Sequence, residues 1–246
     1  MGLRYKFDPH VHTNKEGKSG RISTETLIGR YCALGYQGIA ITNHLNEKYV
    51  SKLACADDWA QSVNAFLAGY RGAKELGDKM GLDVILGMEL RFPENDNDYL
   101  IYGFDEAFLQ RNPYLYRMGH AVFFDTFGKE VLIIHAHPFR DNNQVVYHES
   151  VHGVEIANCC ARHENCNEQA LRLCKENPHL YRLCGSDARR DGEEGHAWIL
   201  FDTPIRNSFD FKSAVERGGY TLNCIDECEQ KIIKDAETFF RAGGAA

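Results

Sequence analysis

No C-x-x-C pair occurs anywhere in the 246 residues, and the nine cysteines are odd in number. Neither a zinc ribbon nor a disulfide framework is therefore indicated. Cys159, Cys160 and Cys166 cluster, but their spacing fits no common ligand pattern, and core packing is the expected role. Long apolar runs are missing too: stretches such as VLII at 131–134 are far too short to span a bilayer. MGLRYKF at the start passes into a strand pattern without the features of a secretory signal, so the expectation is a cytoplasmic protein without membrane contact. Basic excess is absent as well. A net charge of -7 argues against general affinity for a nucleic-acid backbone, and no nucleic-acid polymer is expected as a partner. Without repeats, low-complexity tracts or a Pro/Gly/Ser linker, residues 1–246 read as one domain, with GGAA expected to fray at its end. Nothing in the pattern speaks to oligomeric state.

What is present is an alternation of short β-like runs with longer helical ones. YKFDPH reads as a strand, followed by a helix from Thr24 to Leu34 with Ser23 as N-cap and Gly35 as stop, and then by the strand QGIAIT. Asp57 to Met80 reads as helix before the strand LDVILGMEL. DYLIYGF is the next strand, Tyr114 to Phe127 a helix, and VLIIHAH and VHGVEIA strands. Glu164 to Glu176 reads as helix, LYRLCGSDA and AWILFD as strands, and Glu227 to Arg241 as the last helix. Such alternation predicts parallel strands wrapped by helices, an α/β fold.

The unusual polar residues fall at the C-terminal ends of these strands. In FDPHVHTNK, His10 and His12 stand one residue apart, and on an extended strand such neighbours share a face. His44 follows in TNH, Glu89 in GMEL, Asp105 in GFDE, His135 and His137 in HAHP, and Asp187 in GSDAR. In an α/β barrel those ends converge on one mouth. Imidazoles mixed with carboxylates there suit Zn, Mn or Fe, and a multinuclear site is the natural reading. A lone strand-end histidine is more often a hydrogen-bonded core residue, so the case rests on recurrence in register. His120, His148, His152, His163 and His179 are scattered and are read as structural or solvent-facing.

With DPHVHT, TNH, GME, HAHP and GSDAR in hand, the sequence resembles the PHP (polymerase and histidinol phosphatase) family of metal-dependent phosphoesterases. The family pattern D-x-H-x-H-T, T-D-H, G-x-E, H-P and G-S-D-x-H is met in order from Asp8 to about Arg190. The resemblance implies a distorted (β/α)7 barrel holding two or three divalent metal ions, Zn, Mn or Fe. Carried over, His10, His12, Glu89 and Asp187 would bind one ion. Glu89 would bridge to a second held by His137 and Asp105, and His44 would serve a third. His135 is implied as a ligand or as a residue behind one, and Glu155 in GVEIAN as a supporting residue. Asp8 is expected to orient the strand end or an imidazole from behind.

Three departures surround the third ion: Asn43 replaces Asp, Ser19 stands where an acidic or histidine ligand is expected, and Arg189 replaces His. Either the site is dinuclear with Arg189 as a fixed positive charge, or His196 in EEGHAW folds back as a substitute ligand. The first is favoured, because guanidinium cannot ligate a cation but holds phosphate well. The implied activity is that of a metal-dependent phosphoric monoester hydrolase, using a metal-activated water on a small phosphorylated metabolite or nucleotide. Glu89, Asp187 and His44 would be catalytic. Arg140 and Arg189 would clamp the phosphate, and His44 or His196 would protonate the leaving oxygen. NKEGKSGR and FRDNNQVVYHES are expected to line the substrate pocket. Two alternatives stand beside this: a non-catalytic metal- or phosphate-binding module, and an amidohydrolase-like C–N hydrolase.

Overall fold

A computed structural model describes residues 4–13, 22–143 and 148–241. Ser19 with the rest of 14–21, residues 144–147 and the GGAA tail lie outside the described residues.

In chain order the elements begin with β1 (Tyr5–Val11), α1 (Thr24–Ala33), β2 (Gly38–Ile41), β3 (His44–Leu45), α2 (Glu47–Val50) and α3 (Trp59–Met80). Then come β4 (Asp83–Leu86), β5 (Met88–Arg91), β6 (Asp98–Tyr102), α4 (Glu106–Arg111), α5 (His120–Phe127) and β7 (Leu132–Ala136). The chain closes with β8 (Gly153–Asn158), α6 (Asn167–Glu176), β9 (Tyr181–Gly185), β10 (Ala197–Phe201), α7 (Ser208–Arg217), β11 (Thr221–Cys224) and α8 (Glu227–Arg241).

Local chemistry sets the helix ends. Ser23 Oγ accepts from Thr26 N–H at the start of α1, and Gly35, at φ +73°, follows its last turn. Asp58 caps α3, which buries Trp59, Val63, Phe66 and Leu67 at three- and four-residue spacing and stops at the left-handed Gly81. The single helix expected from Tyr114 to Phe127 is split instead. Tyr114 takes φ +55°, a short 3₁₀ turn covers Leu115–Arg117, and α5 begins only after Gly119.

Two mixed sheets carry the fold, with strand orders β11-β10-β1-β2-β4 and β3-β5-β6-β7-β8-β9. They share a wall, because β3 extends β2 and β5 extends β4. Gly87 N–H to Ile41 O (3.0 Å) and Glu89 N–H to Asn43 O (3.0 Å) carry the ladder across the bend. At the other seam, β1 meets the end of β9 through one bridge, Val11 to Ala188, and His12 N–H donates to Ala188 O at 2.9 Å. The α/β class therefore stands, but the described strands do not form one closed ladder.

Uniformly parallel strands are also corrected. β6 is antiparallel to both β5 and β7, and β10 is antiparallel to both β1 and β11. One hydrophobic cluster includes Phe7, Leu100, Ile134 and Phe211, and a second gathers Val11, Leu27, Ile28, Tyr31 and Val84. Each such fully buried side chain contributes roughly 1.5–3 kcal/mol. Among the described residues no helix is long and apolar enough to cross a membrane.

Candidate metal centre

The strand ends bring five of the expected residues into one buried group. His10 Nε2 and His12 Nε2 lie 3.2 Å apart, and His12 Nε2 is 3.3 Å from Glu89 Oε2 and 3.1 Å from Asp187 Oδ1. His137 Nε2 stands 2.9 Å from Glu89 Oε1. Donors about 2.0–2.2 Å from a shared cation stand at separations of this size. Their atoms fall into metal-spaced groups: His10 with His12 and Glu89, His10 with His137 and Asp187, and His44 with Glu89 and Asp98. Glu89 Oε2 and His12 Nδ1 are buried without a hydrogen-bond partner. An unpaired carboxylate oxygen facing imidazole nitrogens in a dry site is costly unless a cation meets it. The residues present fit divalent metals.

Supporting residues fix the ligand orientations. Glu155 Oε1 lies 3.0 Å from His10 Nδ1, which keeps the proton there and turns the Nε2 lone pair toward the group. Its Oε2 accepts from His137 N–H (3.0 Å) and Asn158 Nδ2 (2.9 Å). Asp8 works from behind: Oδ1 accepts from His10 N–H and Ser186 N–H, and Oδ2 from Tyr31 Oη. His137 and Asp187 sit at φ +30° and +51°, left-handed conformations that cost about 1–3 kcal/mol each in non-glycine residues. Gly185 permits close packing behind the ligands, since a Cβ there would lie 2.6 Å from both His10 Cβ and Glu155 Oε1.

Electrostatics divide the group by neighbour. Burial alone would raise Glu89, but His44, His10 and His137 hold its carboxyl well below the usual range. Asp187 is likewise held low against its burial by Arg189 and His10. Burial would lower His10, yet Glu155 and Asp187 hold it well above its ordinary value. His12 goes the other way, pushed down by burial and by Arg189. Burial raises Asp8 to about 6 despite its hydrogen bonds.

Arginines crowd the same carboxylate. Arg140 Nη2 donates to Asp187 Oδ2 (2.8 Å) and Asn158 Oδ1 (2.8 Å), while Arg189 Nη2 pairs with Asp187 Oδ1. Arg162, which the motif reading passed over, donates to the Asp187 backbone carbonyl (3.3 Å) and to Glu193 (2.6 Å). It lies in the loop after β8, so the strand-end criterion that found the others also reaches it.

Three expectations change, those for Asp105, His135 and His196. Asp105 does not reach the group: it is exposed and caps α4, its Oδ1 accepting from Phe108 N–H. Because β6 is antiparallel, its C-terminal end points away from the metal-spaced groups, and Asp98 at its other end is the carboxylate that arrives. His135 is fully buried, but its ring stacks on Tyr99 at 4.9 Å and neither nitrogen is hydrogen-bonded. β7 ends at Ala136 and the chain turns left-handed at His137, so the two rings part. His196 joins none of the groups. It precedes β10, whose buried residues are Ala197, Ile199 and Phe201, and it is out of phase with them. His44, expected as a ligand or proton donor, does join a metal-spaced group: its Nδ1 is 2.8 Å from Glu89 Oε2, out of line for a hydrogen bond, while its Nε2 accepts from Arg189 Nη1 (3.1 Å). Asn43 spends its amide on Thr13, accepting from its N–H and donating to its Oγ1, both at 2.9 Å.

Comparison with known proteins finds a match to the PHP domain over residues 8–200. No curated protein matches the sequence with significance. Among solved structures, a two-domain protein from Bacteroides vulgatus, described as containing a predicted PHP-like metal-dependent phosphoesterase, aligns with TM-score 0.64. Identity is 15%, over 95% of this chain and 70% of that one. PsfC from Pseudomonas syringae aligns with TM-score 0.61 at 15% identity, over 98% and 99% of the two chains. An amidohydrolase from Chromobacterium violaceum, solved with bound sulfate and no metal, aligns with TM-score 0.51 at 14% identity, over 91% and 99%. At these identities the likeness shows the fold alone.

Proposed function

The chain belongs to the PHP domain family, and from that premise we propose that it is a metal-dependent phosphoesterase that hydrolyses a phosphate monoester of a small metabolite or nucleotide. The observation that carries the reading is the convergence of His10, His12, Glu89, His137 and Asp187 on one buried point, with Arg140 and Arg189 bonded to Asp187 beside it. The same reading treats the two sheets as the wall of a distorted (β/α)7 barrel, open at the seam between β1 and β9.

His10, His12, Glu89 and Asp187 would hold one divalent ion, and Glu89 with His137 a second. When bound, such ions, Zn, Mn or Fe, supply Lewis acidity that acidifies water and offsets phosphoryl charge. The chain's own residues do the rest. Glu155 keeps His10 in the tautomer that offers Nε2, and Asp8 anchors the strand end that carries both histidines. Arg140 and Arg189 present fixed charges to the non-bridging oxygens, and their engagement with Asp187, Asn158 and the histidines holds them in position before substrate arrives. Buried walls exclude bulk water. With a net charge of -7, the protein is suited to a small anion drawn into a local basic pocket rather than to a nucleic-acid polymer.

An amidohydrolase-like cleavage of a C–N bond is the second reading, favoured by the Chromobacterium neighbour's description. The arginines around Asp187 weigh toward phosphate. Release of inorganic phosphate from a panel of phosphomonoesters, measured after loading with Mn or Zn, tests the proposal. Metal-dependent release is expected. No release, with turnover of N-acyl substrates, would establish the second reading instead, and neither activity would leave a binding module.

A further inference from the structure

The three metal-spaced groups are not equivalent. In the group formed by His44, Glu89 and Asp98, two members are already engaged by guanidinium ions. Arg189 donates from Nη1 to His44 Nε2 (3.1 Å) and from Nη2 to His12 Nε2 (3.2 Å) and Asp187 Oδ1. On the opposite side, Arg91 grips Asp98 through Nε to Oδ1 (2.8 Å) and Nη2 to Oδ2 (2.6 Å). The Arg189 side chain is only 13% exposed and its Nε is buried without a partner, so it belongs to the interior of the site rather than to its rim.

We propose that Arg189 permanently occupies the place of a third cation, so that the chain binds two divalent ions and the position beside His44 is closed by guanidinium. The inference rests on the metal-dependent reading above and adds the ion count to it. A guanidinium stays charged at any accessible pH and has no lone pair to ligate, so it neutralises Glu89 and Asp187 without opening a coordination site. Charge balance agrees. Of the four carboxylates, Asp98 faces the guanidinium of Arg91 and Asp187 those of Arg140 and Arg189, while Glu89 and Glu155 face imidazoles. Two divalent ions already leave this pocket positive, the state that draws in a phosphate dianion. Once Glu89 and Asp187 serve those two, a third would find only Asp98, already paired with Arg91, to balance it. Asn43, bound to Thr13, adds no charge on that side.

Elemental analysis of the whole chain, loaded with excess Mn²⁺ and freed of unbound ion by gel filtration, tests the count. Two equivalents are expected in the wild type and three in Arg189→His, where an imidazole replaces the guanidinium next to His44. A wild-type count other than two, or an Arg189→His count that stays at two, overturns the inference. Should Arg189→His fail to fold, His44→Gln decides: its count stays at two if His44 serves Arg189 and falls if His44 ligates an ion. A wild type that takes up no metal at all would remove the metal-dependent reading itself, whereas three equivalents would remove only the role given to Arg189.

Discussion

His135 and His137 stand on either side of Ala136, and their surroundings differ in one ingredient. His137 meets Glu89 and shares that carboxylate with His10, His12 and His44. His135 stacks on Tyr99, which stacks in turn on His120 with centroids 4.2 Å apart. Burial pushes His135 down to about 3 and His120, despite Glu94, down to about 4, while Glu155 and Asp187 hold the equally buried His10 well above its ordinary value. Burial by itself makes an imidazole a neutral packing ring. Carboxylates at hydrogen-bond distance make it part of a cation site.

Removing the shared carboxylate breaks the contrast most completely. Glu89→Ala should eliminate stable metal binding and lower any phosphate release by on the order of 10³-fold, measured by elemental analysis and initial rates. A smaller effect is expected from Glu155→Gln, which leaves every ligand in place but loosens the tautomer and orientation of His10. Metal affinity should fall roughly 10–100-fold in chelator competition.

The aromatic side of the comparison is sharpened by acid. The folded pKa of His135 lies below its unfolded value near 6.5, so the unfolded chain takes up the proton first as pH falls. The stability at stake is intact above about pH 6.5 and is lost progressively toward pH 3. In His135→Phe, the drop in unfolding free energy between pH 7 and pH 4 should be smaller by roughly 3 kcal/mol, with metal content unchanged. Least affected is Asp105→Ala, which should lose about 1 kcal/mol with the α4 cap and leave the metal count as it was. A fall in metal count there would restore Asp105 to the site.

How far the site was legible follows from these same residues. His10 and His12 were readable because alternation along one strand needs no partner, and Glu89, His137 and Asp187 because each lies on or just past a strand running in the same sense as β1. Asp105 was misread for the converse reason: DYLIYGF looks the same whichever way it runs, and only its pairing with β5 and β7 makes it antiparallel. His135 depended on a left-handed turn at His137, a conformation that no side-chain pattern there announces. Helices α4 and α7 and strand β11 went unanticipated, whereas α1 was legible from its cap and stop and α3 from its helical pattern.

By itself, the sequence determined the alternating α/β pattern, the capped helices and the family motifs with their departures at Asn43 and Arg189, because spacing and local hydrogen bonding act over a few residues. Tertiary structure alone decided which carboxylate reaches the ions, which histidine stays neutral and where Arg189 puts its charge. Those outcomes depend on strand direction, on burial and on the distance between groups up to 177 residues apart in the chain, as Arg189 and His12 are.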